Sequence, residues 1–288
     1  MKLRFSARRL RRQIHAISSR LLNRFYWHET AYYYFGEFGY FNLEVLGGLQ
    51  ALFHVHSGLR LKIATYPSYA QLLRSRFGDR VLCKSPDWPY DERRRDCHTY
   101  DCRKLQRSLF WQGFNQNLVS LFDGLEHRGR VHEARLFYLD SPLGVPQSDR
   151  HSQYISIFPR GRRGYASKNL DAQQWEIVLQ ALANQTSLPV VVHGVKAEMT
   201  RIPMAEKFLH PKNVLEQVSY LNQSRFCVSP DSGFVQFALN CGCDVFVIGG
   251  TIQYHEFADF NPFGTRLVIA GTEPQEYLPA LREFAAMG

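Results

Sequence analysis

No stretch of the 288 residues is apolar over the length that a membrane span requires, and no apolar segment follows the basic N-terminus. A spanning helix and a secretory leader are therefore not expected, and the chain reads as cytoplasmic. The six cysteines, at 83, 97, 102, 227, 241 and 243, lack a zinc pattern. Four residues separate Cys97 from Cys102 and one separates Cys241 from Cys243, weak spacings for metal pairs, so reduced thiols are the simpler reading. His54 and His56 stand two apart and diverge on a helix, which gives no metal pair. A Gly-x-x-x-x-Gly-Lys-Ser/Thr phosphate loop is missing, and Gly36-x-x-Gly39 is too short for a dinucleotide fingerprint. No metal and no cofactor are expected.

Acids are missing from residues 1 to 24, which hold Lys2, Arg4, Arg8, Arg9, Arg11, Arg12, Arg20 and Arg24. These eight cations account for most of the net charge of +9, leaving the body nearly neutral. Leu3, Leu10, Ile14, Ile17, Leu21 and Phe25 share one helical face between them. Such a basic amphipathic segment, here 1–28, suits peripheral contact with an anionic membrane through residues 1–25. A helix packed on the protein with its arginines in water fits equally well. An organellar transit peptide is a third reading. A nucleic-acid arm is the weakest, because the neutral body shows no recognised module, and nucleic acid is not expected as a partner.

The whole chain is 45% hydrophobic, enough for a sizeable core, and long enough for one large or two ordinary domains. Residues 31–35 read as a strand leading into Gly36-Glu37-Phe38-Gly39. A helix from Asn42 to about His56, a strand at 59–66, a helix at 69–77 opened by Pro67-Ser68, and a strand at 81–83 follow. This β-α-β-α-β order signals a parallel doubly wound sheet. Residues 85–107, dense in charge, Pro and Tyr, read as a surface excursion. A helix at 109–125 and a strand at 136–139 come next. The polar, aperiodic stretch 142–153 marks a boundary, giving domains of 29–148 and 149–288. The second series runs strand 154–158, helix 171–184, strand 188–193, helical segment 215–222, and then strand, turn, helix and strand from Phe226 to Gly250. A strand at 265–270 and a C-terminal helix from Glu273 close it. The expected fold class is α/β, with two Rossmann-like doubly wound domains facing a cleft and ligand loops at the carboxyl ends of the strands.

Three such loops carry chemistry. Pro159 to Asn169 brings Arg160, Arg162, Arg163 and Lys168 with two glycines directly after a strand, suiting phosphate oxygens. His193-Gly194-Val195-Lys196-Ala197-Glu198 follows the next strand, where the Glu198 carboxylate can accept from ribose hydroxyls. Asp231-Ser232-Gly233 opens a helix, either as an ordinary cap or as an anion site built from free N–H groups and the helix dipole. Singly, each loop is also explained as a solvated surface. In this order they suit a nucleotide diphosphate. Glu37, at a strand end in the first half, is a turn acid or a base for an acceptor hydroxyl.

Pro230-Asp231-Ser232-Gly233-x-x-Gln236-x-Ala238-x-x-x-Gly242, running on to Gly249, resembles the nucleotide-sugar motif of the heptosyltransferase-like (family 9) glycosyltransferases. The Pro159-Arg160-Gly161 start, Ser167-Lys168-Asn169-Leu170 before a helix with Trp175, and 190–198 are similar to that family too. The likeness covers about 150–250 with fair spacing and the first half loosely. It implies the GT-B arrangement, inversion at the anomeric carbon and no required metal. It points to Lys168 on phosphate, Glu198 on ribose and Glu37 as catalytic base, with Arg160, Arg162, Arg163, Asp231, Ser232, Gly233 and Gln236 completing donor binding. Gln236 stands where the family usually has His, and Glu37 where it has Asp.

The expected activity is transfer of a sugar from a nucleotide-diphosphate donor to a saccharide or lipid-linked glycan acceptor. Two rivals share the scaffold: a nucleotide-sugar epimerase, which needs no acceptor, and a binding protein without turnover.

Overall fold

The computed structural model describes residues 31–35, 38–84, 114–131, 134–144, 153–161, 166–194, 202–203, 207–249 and 260–287. The basic segment 1–28, Glu37, the excursion 85–107, Arg162, Arg163 and Glu198 lie outside these residues. The chain forms two compact units. The first gathers residues up to 35, 48–94 and 98–126, and the second gathers 36–47, 95–97 and 127–288.

In the first unit four parallel strands run in the order β3-β2-β1-β4: β1 (Ala31–Tyr34), β2 (Leu61–Thr65), β3 (Val81–Lys84) and β4 (Phe114–Asn117). Helix α1 runs from Phe38 to Val55 and crosses from the second unit into the first; α2 covers Pro67–Phe77. The start of α2 follows from Tyr66, which is extended, and from Pro67, whose fixed φ suits a first helical position. The helix stops at Gly78, whose φ of 58° an L side chain would resist. Between them α2 buries Tyr69, Ala70, Leu72 and Leu73.

Two expectations change here. The helix expected at 109–125 is strand β4 followed by a 3-10 turn, Leu118–Phe122. Backbone pairing with β1 takes the strand, and the Asn117 side chain accepts from the Val119 amide to open the tight turn. Leu118 and Phe122 are buried four residues apart, a spacing that imitates an α-helical face. The helix expected from Asn42 begins earlier, at Phe38, and contains a π-turn at Phe41–Val45.

In the second unit five parallel strands run β11-β10-β9-β7-β8: β7 (Tyr154–Ile157), β8 (Val190–Val192), β9 (Ser224–Pro230), β10 (Val245–Ile248) and β11 (Leu267–Ala270). A small antiparallel pair, β5 (Gly129–Val131) and β6 (Ala134–Leu136), belongs to the same unit. Only Leu136 of the strand expected at 136–139 joins that ladder; the Phe137 amide donates to Leu43 O in the π-turn instead. Helices α3 (Ala172–Ala183), α4 (Val214–Gln223), α5 (Gly233–Asn240) and α6 (Pro274–Ala286) alternate with the strands. Each start has a local cause. Asp171 and Gln174 form a reciprocal capping box on α3, and Asn213 accepts from Leu215 and Glu216 amides on α4. Trp175, Val178 and Leu182 of α3 and Tyr277, Leu281 and Phe284 of α6 share a core with Ile155, Ile157, Phe226, Val228, Phe246 and Ile248. The intervening residues Ser156, Cys227, Ser229, Val245 and Val247 are buried as well, so both sheet faces are covered.

The second unit takes in residues 38–47 as well as 127–131 and 134–144. Contacts explain it: a side chain at Gly47 would collide with Phe137 O, whereas one at Gly48 would stand 2.9 Å from the Phe122 ring of the first unit. Gly47→Ala should therefore destabilise the second unit by about 1–3 kcal/mol despite alanine's better helix propensity. Thermal unfolding followed by circular dichroism checks it, with Gly58→Ala as control because nothing lies within 4 Å of that position. Equal melting of the two variants would refute the packing account.

Candidate functional site

Strands β8, β7 and β9 lie side by side and parallel, so their carboxyl ends open on one edge. The chain leaving β7 carries Arg160, and a 3-10 turn at Ala166–Lys168 returns Lys168 to the end of β9, where Asp231 follows Pro230. Lys168 Nζ stands 2.6 Å from Asp231 Oδ2, with the carboxylate only 6% exposed. Arg160 is buried and donates from Nη1 to Asn169 Oδ1 at 2.5 Å. Burial pushes the Asp231 carboxyl above its ordinary value. The Lys168 hydrogen bond, its charge and the charge of Arg160 pull the other way without cancelling burial. The structure thus brings Arg160, Lys168 and Asp231 into one cluster.

Asp231 leads into α5, whose N-cap is Ser232. Neither polar residue serves as the side-chain cap that the sequence suggests. Ser232 accepts no helix amide and lies 3.2 Å from Ser229 Oγ, which donates to Pro230 O, while Asp231 turns to Lys168. The first turn of α5 therefore has no side-chain cap, and the positive end of its dipole adds to the nearby cations. At the other end Gly242, with φ of 68°, lets the chain turn into β10.

Gly233 is required by a close backbone approach. A Cβ there would stand 2.5 Å from Gly39 N and 2.8 Å from Gly39 Cα, so the first turns of α5 and α1 touch main chain to main chain. Gln236 is buried, and its Oε1 lies 3.6 Å from where a Cβ on Gly39 would sit. Gln236 thus faces the start of α1.

One participant escaped the sequence reading as a site residue. His193, at the end of β8, is fully buried, and its Nε2 lies 2.8 Å from Ser156 Oγ. Ser156 Oγ lies 2.7 Å from Ser224 Oγ, which donates to Tyr220 O. Burial lowers the His193 pKa to about 3, so the ring is neutral. It packs 5.0 Å from Phe234, which stacks on Phe158 at 4.4 Å. Aromatic residues at 158 and 234, directly after a strand and at a helix start, were the available signal. Among the described residues no group of three His, Cys, Asp or Glu side chains could hold a metal ion, and no helix is long and apolar enough to cross a membrane. Cys83, Cys227, Cys241 and Cys243 are buried in the units and form no disulfide.

No family model and no curated protein matches this chain. Solved structures do. The E. coli heptosyltransferase WaaC with ADP matches at a TM-score of 0.52 and 15% identity, covering 88% of this chain and 98% of that one. E. coli ADP-heptose LPS heptosyltransferase II matches at 0.51 and 14%, covering 90% and 99%. A family 9 glycosyl transferase from Veillonella parvula matches at 0.52 and 8%, covering 83% and 84%. The fold is therefore the α/β fold of the heptosyltransferase-like, GT-B type glycosyltransferases.

The Lys168–Asp231 pair gives a pH-dependent prediction. Asp231 has a folded pKa above its unfolded value, so its contribution to stability is full at low pH and is lost as pH rises through the folded pKa. Lys168 limits that loss by favouring the charged carboxylate. Lys168→Met should cost little near pH 4 and about 1–3 kcal/mol at pH 7, measured by urea unfolding at both values. A cost independent of pH would show that the two side chains do not form the pair.

Proposed function

We propose that the protein is a glycosyltransferase that binds a nucleotide-diphosphate sugar at the β7, β8 and β9 strand ends and transfers the sugar to a saccharide or lipid-linked acceptor. The observation that carries this reading is the α5 start, which has no side-chain cap and sits beside the Lys168–Asp231 pair and Arg160. In this reading the α5 amides near Ser232 and Gly233, with Lys168 and Arg160, face the diphosphate. They stabilise the negative charge that develops as the sugar leaves. Asp231 holds the Lys168 ammonium in place beforehand. Arg162 and Arg163 add charge, Glu198 takes the ribose hydroxyls, and Gln236 lines the α1 side.

Glu37 is the proposed base. Covalent connection alone keeps its Cα within about 8 Å of the Gly39 Cα, and Gly39 packs on Gly233 at the start of α5. A carboxylate held there takes the proton of the acceptor hydroxyl as its oxygen attacks the anomeric carbon, and the nucleoside diphosphate departs from the opposite face with inversion. The cations do the work assigned to a metal elsewhere, so activity should persist in EDTA. The fold likeness to the heptosyltransferase WaaC, whose structure holds ADP, supports a nucleotide ligand. The cytoplasmic assignment and peripheral membrane contact through 1–25 belong to the same reading, since a lipid-linked acceptor would lie at that surface.

Thermal shift with ADP, GDP and UDP tests the pocket. At least one nucleotide should raise the melting temperature, and Lys168→Met should weaken its binding about tenfold or more. Absence of any shift would sink the assignment. Glu37→Gln should lower transfer by about a hundredfold or more while nucleotide affinity stays within twofold; undiminished turnover would remove Glu37 as base.

A further inference from the structure

Residues 38–47 precede most of the first unit in the chain, yet they are tied to the second unit along their whole length. Gly39 packs on Gly233, and the Phe38 and Phe237 rings lie 5.1 Å apart. Asn240 Nδ2 donates to Asn42 O at 2.9 Å, and the Phe137 amide donates to Leu43 O at 3.0 Å. Arg135 Nε stands 2.9 Å from Glu44 Oε1, in a pair whose side chains are 11% and 8% exposed. The Arg135 backbone amide also points to that oxygen, at 3.5 Å.

A buried ion pair differs from the apolar contacts around it. Rings and aliphatic groups tolerate a small slide or rotation, whereas a charge pair away from water is favourable at one geometry, and displacing either partner leaves an uncompensated charge. Glu44 lies in the π-turn, where the altered winding sets the rotation of the helix before it. We propose that Glu44 and Arg135 are positioning residues: they fix the rotation and height of the α1 start on the donor-binding unit. The distance from this segment to the Asp231–Gly233 turn is then set within that unit alone. The inference rests on the proposed function for its catalytic meaning, because the segment it fixes follows directly on Glu37. Its structural content stands apart from sugar transfer.

Hydrogen–deuterium exchange on the intact chain reads that content. In the unaltered protein, amides of 38–47 should share the protection of 233–240. Arg135→Ala should speed exchange in 38–47 about tenfold or more, while 61–84 and the strands β9 and β10 keep their rates. Arg135→Lys, which keeps the charge, should restore part of the protection. Should Arg135→Ala fail to fold, Glu44→Leu with Arg135→Leu carries the same test, because it removes both charges of the pair. Unchanged exchange in 38–47, or an equal acceleration throughout the second unit, would overturn the proposal. With a donor from the nucleotide screen, Arg135→Ala should lower kcat about tenfold and leave nucleoside-diphosphate affinity within twofold. A loss confined to affinity would also overturn it. Failure of the nucleotide screen would remove the proposed function and leave the exchange result to judge the clamp.

Discussion

The contact between Gly39 and Gly233 is the constraint on which the site depends. Two helices begin at one point: a Cβ at position 233 would collide with the Gly39 main chain, and one at position 39 would press against Gly233 Cα at 3.3 Å. The consequence is electrostatic as well as steric. Helix starts carry partial positive charge, and here two of them meet beside Lys168 and Arg160. Such a concentration of like charge costs energy unless something opposes it. Asp231 does so: it is buried against Lys168 and feels Arg160, and it remains attached to the strand end that leads into α5. The turn first legible as a helix cap thus has a different division of labour. Gly233 permits the helix contact, Asp231 balances the charge, and the amides that a capping side chain would have taken are left to other partners.

Much of this was legible because parallel α/β units write themselves locally. Apolar strands, turn residues after them and a capped helix appear in that order, and the elements of the second sheet fall close to where periodicity puts them. Arg160 and Asp231 are legible for the same reason: each closely follows a strand, Lys168 lies in the loop between β7 and α3, and parallel neighbours bring their carboxyl ends to one edge. The helix expected at 109–125 fails for a physical cause. Apolar residues four apart fit an α-helical face, but they also fit a strand end followed by a 3-10 turn, and pairing with β1 decides between the two. His193 was passed over because its partners, Ser156, Ser224 and Phe234, come from three separate segments.

The association of 36–47 with the second unit could not be read from sequence at all. Linear order assigns a helix between two strands to the sheet those strands form. The contacts that pull its start away are made with Phe137, Arg135, Gly233 and Asn240, all about 90 residues or more distant. The glycine pair at 47 and 48 is the one local trace. Each glycine is closely packed, but against a phenylalanine of a different unit. A double glycine in a helix interior usually marks lost stability; here it marks the place where one helix serves two cores.

Gln236 follows from the same geometry. It stands on α5 one turn after Gly233, buried and directed at Gly39, so its surroundings are set by how closely the two helix starts approach. A histidine at that position would bring a ring and a group that titrates near neutral pH into a space already crowded by main chain. An uncharged amide offers both a donor and an acceptor at any pH and adds nothing to the positive charge there. Gln236 is thus a residue of the α1–α5 junction, where the close approach of Gly39 and Gly233 sets its surroundings.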